Sequence, residues 1–390
     1  MSLPEAIDKT LNWHKQKRTP VHNVDLKESE KKLTLDETIS VGIVGCGQII
    51  RAHLPALKAI QGINIVGICD VNIDSAKKLA VEFGISDVYP SLEAMLKEKR
   101  PNVVHILTPP QVHKDLAIYA MESGCNVLVE KPMALNAQEA EIMLKVAEEN
   151  KVKLGVVHNL LYEPVMIAAR KMITEGRLGD IVYVESWYGS NLGSNLDSRY
   201  MTPGAKDHWA LTLPGSLYQN LMPHPLCLLM DIIGRPDKLH VASSHTGTVK
   251  AMESDELRVM TESKGKLGLI SISLAVSPRY QFFNIYGTKM SLRVDFLNKT
   301  LIRHGSISGM PSVVSRALMN LSQAKTIVNG MIRNVWQVSC GKFTPYEGTR
   351  VLIKEFYKAV AGKGELPVSG KEGLENMEVM DKVWQRLKGE

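Results

Sequence analysis

Long apolar runs, paired cysteines and aromatics are all scarce in this 390-residue sequence. No stretch reaches the roughly 18 apolar residues that a membrane-spanning helix needs. The five cysteines, Cys46, Cys69, Cys125, Cys227 and Cys340, stand singly and far apart. Without a Cys-x-x-Cys pair there is no zinc or redox signature, and an odd count argues against a disulfide framework. No basic-then-apolar leader opens the chain, so a reducing cytoplasm is the expected setting. Acid is missing locally. Between Phe296 and Tyr346 there is no Asp or Glu, whereas Lys299, Arg303, Arg316, Lys325, Arg333 and Lys342 lie there. That window carries the whole net charge of +6. The rest is balanced, which excludes a general nucleic-acid-binding surface.

What is present is a soluble globular composition, 44% hydrophobic and 23% charged, in a chain long enough for about two domains. Residues 1–40 are polar, with little apolar periodicity, and read as an arm or loosely packed extension. From 41 to 160, short apolar runs (41–44, 63–69, 103–107, 126–129, 153–157) alternate with stretches of helical period. Continuously apolar strands separated by helices predict a parallel sheet covered on both faces. Asp74, Ser91 and Asn136 are the expected N-caps. Beyond 160 the order changes to a helix, a strand at 181–188, a Gly/Ser/Asn/Pro-rich loop and a helix at 216–232. Successive strands then run from 238 to 296, which predicts an α+β domain, 161–390, with a largely antiparallel sheet. Helices are expected at 313–336, 347–361 and 370–387.

Val41 to Ile50 reads as a strand running into Gly45-x-Gly47 and then a helix. Gly45 permits a tight turn. Gly47 lets the backbone approach a pyrophosphate at the helix N-terminus, where free N–H groups favour anions, with Gln48 and Ile49 next to it. Ile50 replaces the third small residue of such loops, which is expected either to push the helix slightly off its strand or to be absorbed locally. The next strand ends in Asp70, placed for the adenine ribose hydroxyls, and no cation follows until Lys77. That favours NAD over NADP. Thr108-Pro109-Pro110-Gln111-Val112-His113 and Glu130-Lys131-Pro132 follow later strands, at the carboxyl rim where open α/β sheets hold ligands.

Gly-x-Gly, Thr-Pro-x-x-x-His and Glu-Lys-Pro, followed by a mixed second domain, resemble the glucose-fructose oxidoreductase / inositol dehydrogenase / MocA family over about 41–390. The resemblance implies a Rossmann domain binding NAD through Gly45, Gly47, Gln48, Ile49, Asp70, Thr108, Pro109, His113, Glu130, Lys131 and Asn159. It also implies a cis bond at Pro132 and hydride transfer at a hydroxyl or carbonyl carbon of a sugar, cyclitol or nucleotide sugar. Lys131 and His224 are the expected proton-transfer residues. Asn220 stands where the family usually has Asp, and it can orient a hydroxyl but not titrate. Arg199, Tyr200, His208 and Trp209 are candidates for a sugar-facing wall. Two other activities fit the same resemblance: a glycosidase using NAD for transient oxidation, and a sensing protein without turnover. No metal is expected; a homo-oligomer is.

From Val313 to Trp336 apolar residues recur at helical spacing among Arg316, Lys325 and Arg333. Packing on the chain's own sheet or on a partner subunit, a membrane-surface helix, and a cap over an anionic substrate all remain open for it.

Overall fold

A computed structural model describes residues 22, 24, 25, 28, 31–192, 208–307, 309–341, 344 and 346–389. The first sheet contains β1 (Thr34–Val44), β2 (Gln61–Cys69), β3 (Val88–Tyr89), β4 (Val103–Ile106), β5 (Asn126–Val129) and β6 (Leu154–Val156). Its order is β3-β2-β1-β4-β5-β6, all parallel. Between these strands run α1 (Ile50–Lys58), α2 (Ile73–Phe83), α3 (Leu92–Lys99), α4 (His113–Glu122) and α5 (Ala137–Glu149). The two βαβ halves diverge at β1 and β4, so a crevice opens at the carboxyl ends of those strands. Ser91 and Asn136 cap their helices as expected. At α2, however, Asn72 rather than Asp74 is the cap, accepting from Ser75 N at 3.1 Å. Its side chain sits just outside the helix, whereas Asp74 is already in the first turn.

The described part of the expected N-terminal arm is not loose. β1 begins at Thr34, seven residues before the apolar run read from sequence, and pairs with β2 from Gln61. Leu33, Leu35 and Ile39 are buried, and so is His22. The run was missed because three exposed polar residues, Asp36, Glu37 and Thr38, interrupt it.

The second sheet contains β7 (Ile181–Gly189), β8 (Lys238–Ser244), β9 (Glu256–Ser263), β10 (Lys266–Ser273), β11 (Tyr280–Gly287), β12 (Met290–Asp295) and β13 (Thr300–Gly305). Its order is β13-β12-β11-β7-β10-β9-β8, antiparallel except for β7 against β10. β13 had no counterpart in the sequence reading. α6 (Pro164–Thr174) and α8 (Pro223–Ile233) cover one face. Gly268 makes this close packing possible, since a Cβ there would stand 2.6 Å from Leu229 Cδ1. A buried Arg170–Asp231 ion pair at 2.9 Å joins the two helices. The stretch expected as one helix, 216–232, is two: α7 (Ser216–Leu221) and α8, broken ahead of Pro223, which cannot donate to the preceding turn.

The last helices depart from the expected division at 160. α9 (Ser312–Ser339) lies along β13, but α10 (Glu347–Val360) and α11 (Gly370–Leu387) return to the parallel sheet. α10 packs on α1, and α11 packs on α5. Ala137 N donates to Asp381 Oδ2 at 2.8 Å. A Cβ on Gly155 would meet the Phe356 ring at 2.9 Å, so a glycine in β6 admits α10.

Candidate active site

β1 delivers Gly45 in the left-handed region, φ +97°, where a Cβ would collide with the Leu107 backbone at 2.7 Å. Gly47 faces open space, Gln48 is exposed, and α1 starts at Ile50 with no side-chain cap and no acid in its first turn. Uncapped N–H groups beside an open glycine fit an anionic pyrophosphate. Ile50 is fully buried, the second of the two expected outcomes, with its bulk taken up by the core. Asp70 follows β2. Its Oδ2 accepts from Cys46 N at 2.7 Å and its Oδ1 from Asn72 N at 2.8 Å. Each oxygen keeps a lone pair for a ribose hydroxyl, while the carboxylate also ties the glycine loop to the second strand. The residues present fit a dinucleotide.

The two rim segments are locked together. His113 is fully buried, with Nδ1 3.0 Å from Pro132 O and Nε2 2.8 Å from Thr108 O. Both ring nitrogens are thus occupied by backbone carbonyls, and His113 braces the rim without presenting a nitrogen to the crevice. Burial pushes its pKa down against those carbonyls. Thr108 Oγ1 and Asn159 Oδ1 are buried without partners, while Asn159 Nδ2 donates to Thr349 Oγ1 at 3.3 Å. Pro109 is exposed. Gln111 reaches across to the second domain, donating to Trp209 O at 2.9 Å and Thr212 Oγ1 at 3.0 Å. His208 caps the turn beginning at Trp209 through Ala210 N. Arg199 and Tyr200 lie outside the described residues.

The Lys131–Pro132 bond is cis. Lys131 Nζ donates to both Asn220 O and Asn220 Oδ1, each at 3.0 Å. Burial lowers the ammonium pKa, and Glu130 partly opposes this. An ammonium has three donors. With two held by Asn220, one remains for a substrate oxygen; in the neutral amine both N–H groups point at Asn220 and the lone pair is left free. His224, at the start of α8, has an unpartnered buried Nδ1 and stacks on Tyr188 at 6.4 Å between centroids. Burial holds it well below the ordinary histidine range, helped by Lys131, His158 and Arg279. Glu130, Lys131, Asn220 and His224 therefore share one locus, assembled from β5 and the α7–α8 corner.

Behind this locus runs a polar line that sequence reading missed. Glu130 Oε1 lies 3.0 Å from His53 Nε2, His53 Nδ1 lies 3.0 Å from His105 Nδ1, and His105 Nε2 lies 2.9 Å from Tyr357 OH. All four residues are buried. A single direction satisfies every atom with neutral imidazoles: Tyr357 donates to His105, His105 to His53, and His53 to the carboxylate. Burial, then His53, holds His105 well below the usual range. For Glu130, burial pushes upward, but His53 and Lys131 outweigh it and the carboxyl pKa falls. Glu130 Oε2 accepts from Lys131 N at 3.2 Å, so the line fixes the backbone that carries the lysine. The available signal was a histidine at an otherwise apolar position, His105 inside a strand and His53 on the inner face of a helix.

His158, after β6, was also missed. It is buried with both ring nitrogens unpartnered, and burial lowers its pKa to about 4. A histidine depressed in the fold binds its proton more readily when unfolded. Stability is therefore full above about pH 6.5 and is lost as pH falls toward 4, by on the order of 3 kcal/mol. Urea midpoints at pH 7 and pH 5 should differ by less in His158→Leu than in the parent; an equal drop would mean that His158 does not carry the dependence.

Comparison with known proteins bears on this geometry. Oxidoreductase P35 of Formosa agariphila is 26% identical over 214 residues, 54% of this chain and 65% of that protein, so the match spans less than two thirds of that relative. The 1,5-anhydro-D-fructose reductase of Ensifer adhaerens is 23% identical over 336 residues, 85% of this chain and 91% of that one. The WlbA dehydrogenase from Bordetella pertussis, solved in complex with NADH and UDP-GlcNAcA, superposes with TM-score 0.72 at 20% identity, covering 91% of this chain and 97% of that chain. The model of the oxidoreductase family with NAD-binding Rossmann fold matches residues 39–158, and the C-terminal domain model of the same family matches 166–293. With the 3-2-1-4-5-6 parallel sheet, the Gly45/Gly47 loop and the Glu130-Lys131-Pro132 rim, these matches, which together exceed half of its length, assign the chain to the Gfo/Idh/MocA oxidoreductase family.

Proposed function

We propose that the protein is an NAD-dependent oxidoreductase acting on a hydroxyl or carbonyl carbon of a sugar, cyclitol or nucleotide sugar. The observation that carries this reading is the double hydrogen bond from Lys131 to Asn220, with His224 Nδ1 unpartnered one turn further on. NAD bound along the Gly45/Gly47 loop supplies the hydride acceptor. Lys131, oriented by both oxygens of Asn220, holds the substrate oxygen through its remaining valence and takes its proton. His224, kept neutral by burial, is the second acceptor for that proton on its way out. Asn220 therefore replaces a titrating acid by a fixed acceptor that aims the lysine. Gly45, Gly47, Gln48, Ile49, Asp70, Thr108, Pro109, Glu130 and Asn159 line the cofactor side, and His113 acts through the rim it braces. A homo-oligomer is part of this reading. The outer face of the second sheet carries stacked Tyr183–Tyr286 and Trp187–Phe282 pairs, with Met260 and Leu267 exposed beside them. No described helix is long and apolar enough to cross a membrane.

The test is NADH absorbance with NAD or NADP and a panel of sugars, cyclitols and nucleotide sugars. Asp70 would repel a 2′-phosphate, so NAD should bind at least about tenfold more tightly than NADP, a gap of about 1.4 kcal/mol. Preference for NADP in calorimetry would remove Asp70 from its role. No net NADH with any panel member, with NAD held tightly, would favour a glycosidase using transient oxidation, or a sensing protein if the sugars are also left unchanged.

A further inference from the structure

Helix α9 is mounted the opposite way round from an ordinary surface helix. The side that lies on β13 is polar or small except at half-buried Met319. Gly330 sits so close to the strand that a Cβ would meet Thr300 Cγ2 at 2.5 Å. Ser315 Oγ accepts from Ile307 N at 2.7 Å, Gln323 donates to Arg303 O at 3.2 Å, and Asn334 donates to Asn298 O at 2.9 Å. The apolar side points outward. Val313 is 70% exposed, Leu321 68%, Met331 58%, Ile332 57% and Val335 60%. At about 100° per residue, these and their neighbours spread over roughly half of the helix circumference. Lone exposed apolar residues are ordinary, but a contiguous face along a 28-residue helix marks an interaction surface.

We propose that this face docks on an anionic lipid surface, with α9 lying in the plane of the interface. Two observations favour lipid over a second copy of the chain. The first is width, since a helix pairing with another helix needs only a narrow seam. A face of about half the circumference exceeds that seam and matches a helix embedded to its equator. The second is charge. α9 contains no acid, and neither does any residue from Phe296 to Tyr346. On the helical projection Arg316 borders one edge of the apolar face and Lys325 the other, which suits phosphate headgroups on both sides. In a symmetric pair of copies the same cations would face a surface with no acid to receive them. β13 is the edge strand of the second sheet, so docking through α9 would bring that edge of the sheet to the membrane.

Flotation of the full chain tests the proposal. It should rise with phosphatidylcholine vesicles containing about 30% phosphatidylglycerol and stay behind with pure phosphatidylcholine, and raised salt should release it. Leu321→Glu with Ile332→Glu, and separately Arg316→Ser with Lys325→Ser, should each reduce the bound fraction by about tenfold. Melting temperature and the mass in solution should stay unchanged in both, because all four side chains point away from the fold. Absence of flotation with the anionic vesicles, or equal flotation with neutral ones, would overturn the proposal. So would a fall in mass by light scattering in the Leu321→Glu, Ile332→Glu variant, because a second copy would then be what covers the face.

Discussion

Replacing Lys131 by methionine should lower turnover by about 100-fold or more, the usual scale for a proton-transfer group, while NAD affinity and melting temperature stay close to the parent's. Methionine keeps most of the stem, so the packing around this side chain is retained. What is lost is the donor pair to Asn220 O and Oδ1. Folding is little affected because the lysine already pays a burial penalty, seen in its lowered pKa. The cofactor loop at Gly45 and Gly47 lies on other strands. Stopped-flow measurement of the hydride step on the best substrate of the panel checks this. Near-normal rates in Lys131→Met would remove the lysine from the chemistry and leave it a positioning side chain for Asn220.

The second large effect is expected at the α7–α8 corner. His224→Asn should reduce turnover strongly, because it removes the buried, unpartnered Nδ1. Asn220→Ala should cost less, about 0.5–1.5 kcal/mol for one neutral hydrogen bond, since the Asn220 backbone oxygen still receives Lys131. Asn220→Asp is the informative change. A carboxylate at the end of the Lys131 ammonium favours its protonated form, and it also favours protonated His224 one turn away. Both groups act as bases during oxidation, so the acidic limb of the pH–rate profile should move to higher pH. An unmoved limb in Asn220→Asp, together with near-normal turnover in His224→Asn, would mean that this corner does not line the reacting centre.

The unexpected buried line from Glu130 to Tyr357 gives the C-terminal helices a part in the site. His105 and His53 belong to the parallel sheet and α1, whereas Tyr357 belongs to α10, which returns across the sheet from the second domain. The residue that carries the lysine is thus braced from the last tenth or so of the chain, through side chains that never reach the crevice.

The amino-acid sequence alone determined the elements whose signals are local. Strand-turn-helix around Gly45, the acid ending β2, the Glu130-Lys131-Pro132 rim and the helices α2 to α5 could all be read, because apolar period, glycine and caps act within a few residues. Four features were decided only by tertiary structure. β1 starts at Thr34 because β2 is there to pair with an otherwise polar segment. α10 packs on α1, and α11 packs on both α5 and β8, through long-range contacts that no periodicity encodes. His53, His105 and His158 look alike as isolated histidines and all are buried; only the hydrogen-bond partners that the fold brings to them distinguish a relay from an unpartnered ring. The stripe of α9 was legible, but its direction was not. Periodicity reveals that one face is apolar; the polar bonds to β13 and its flanking residues turned that face outward.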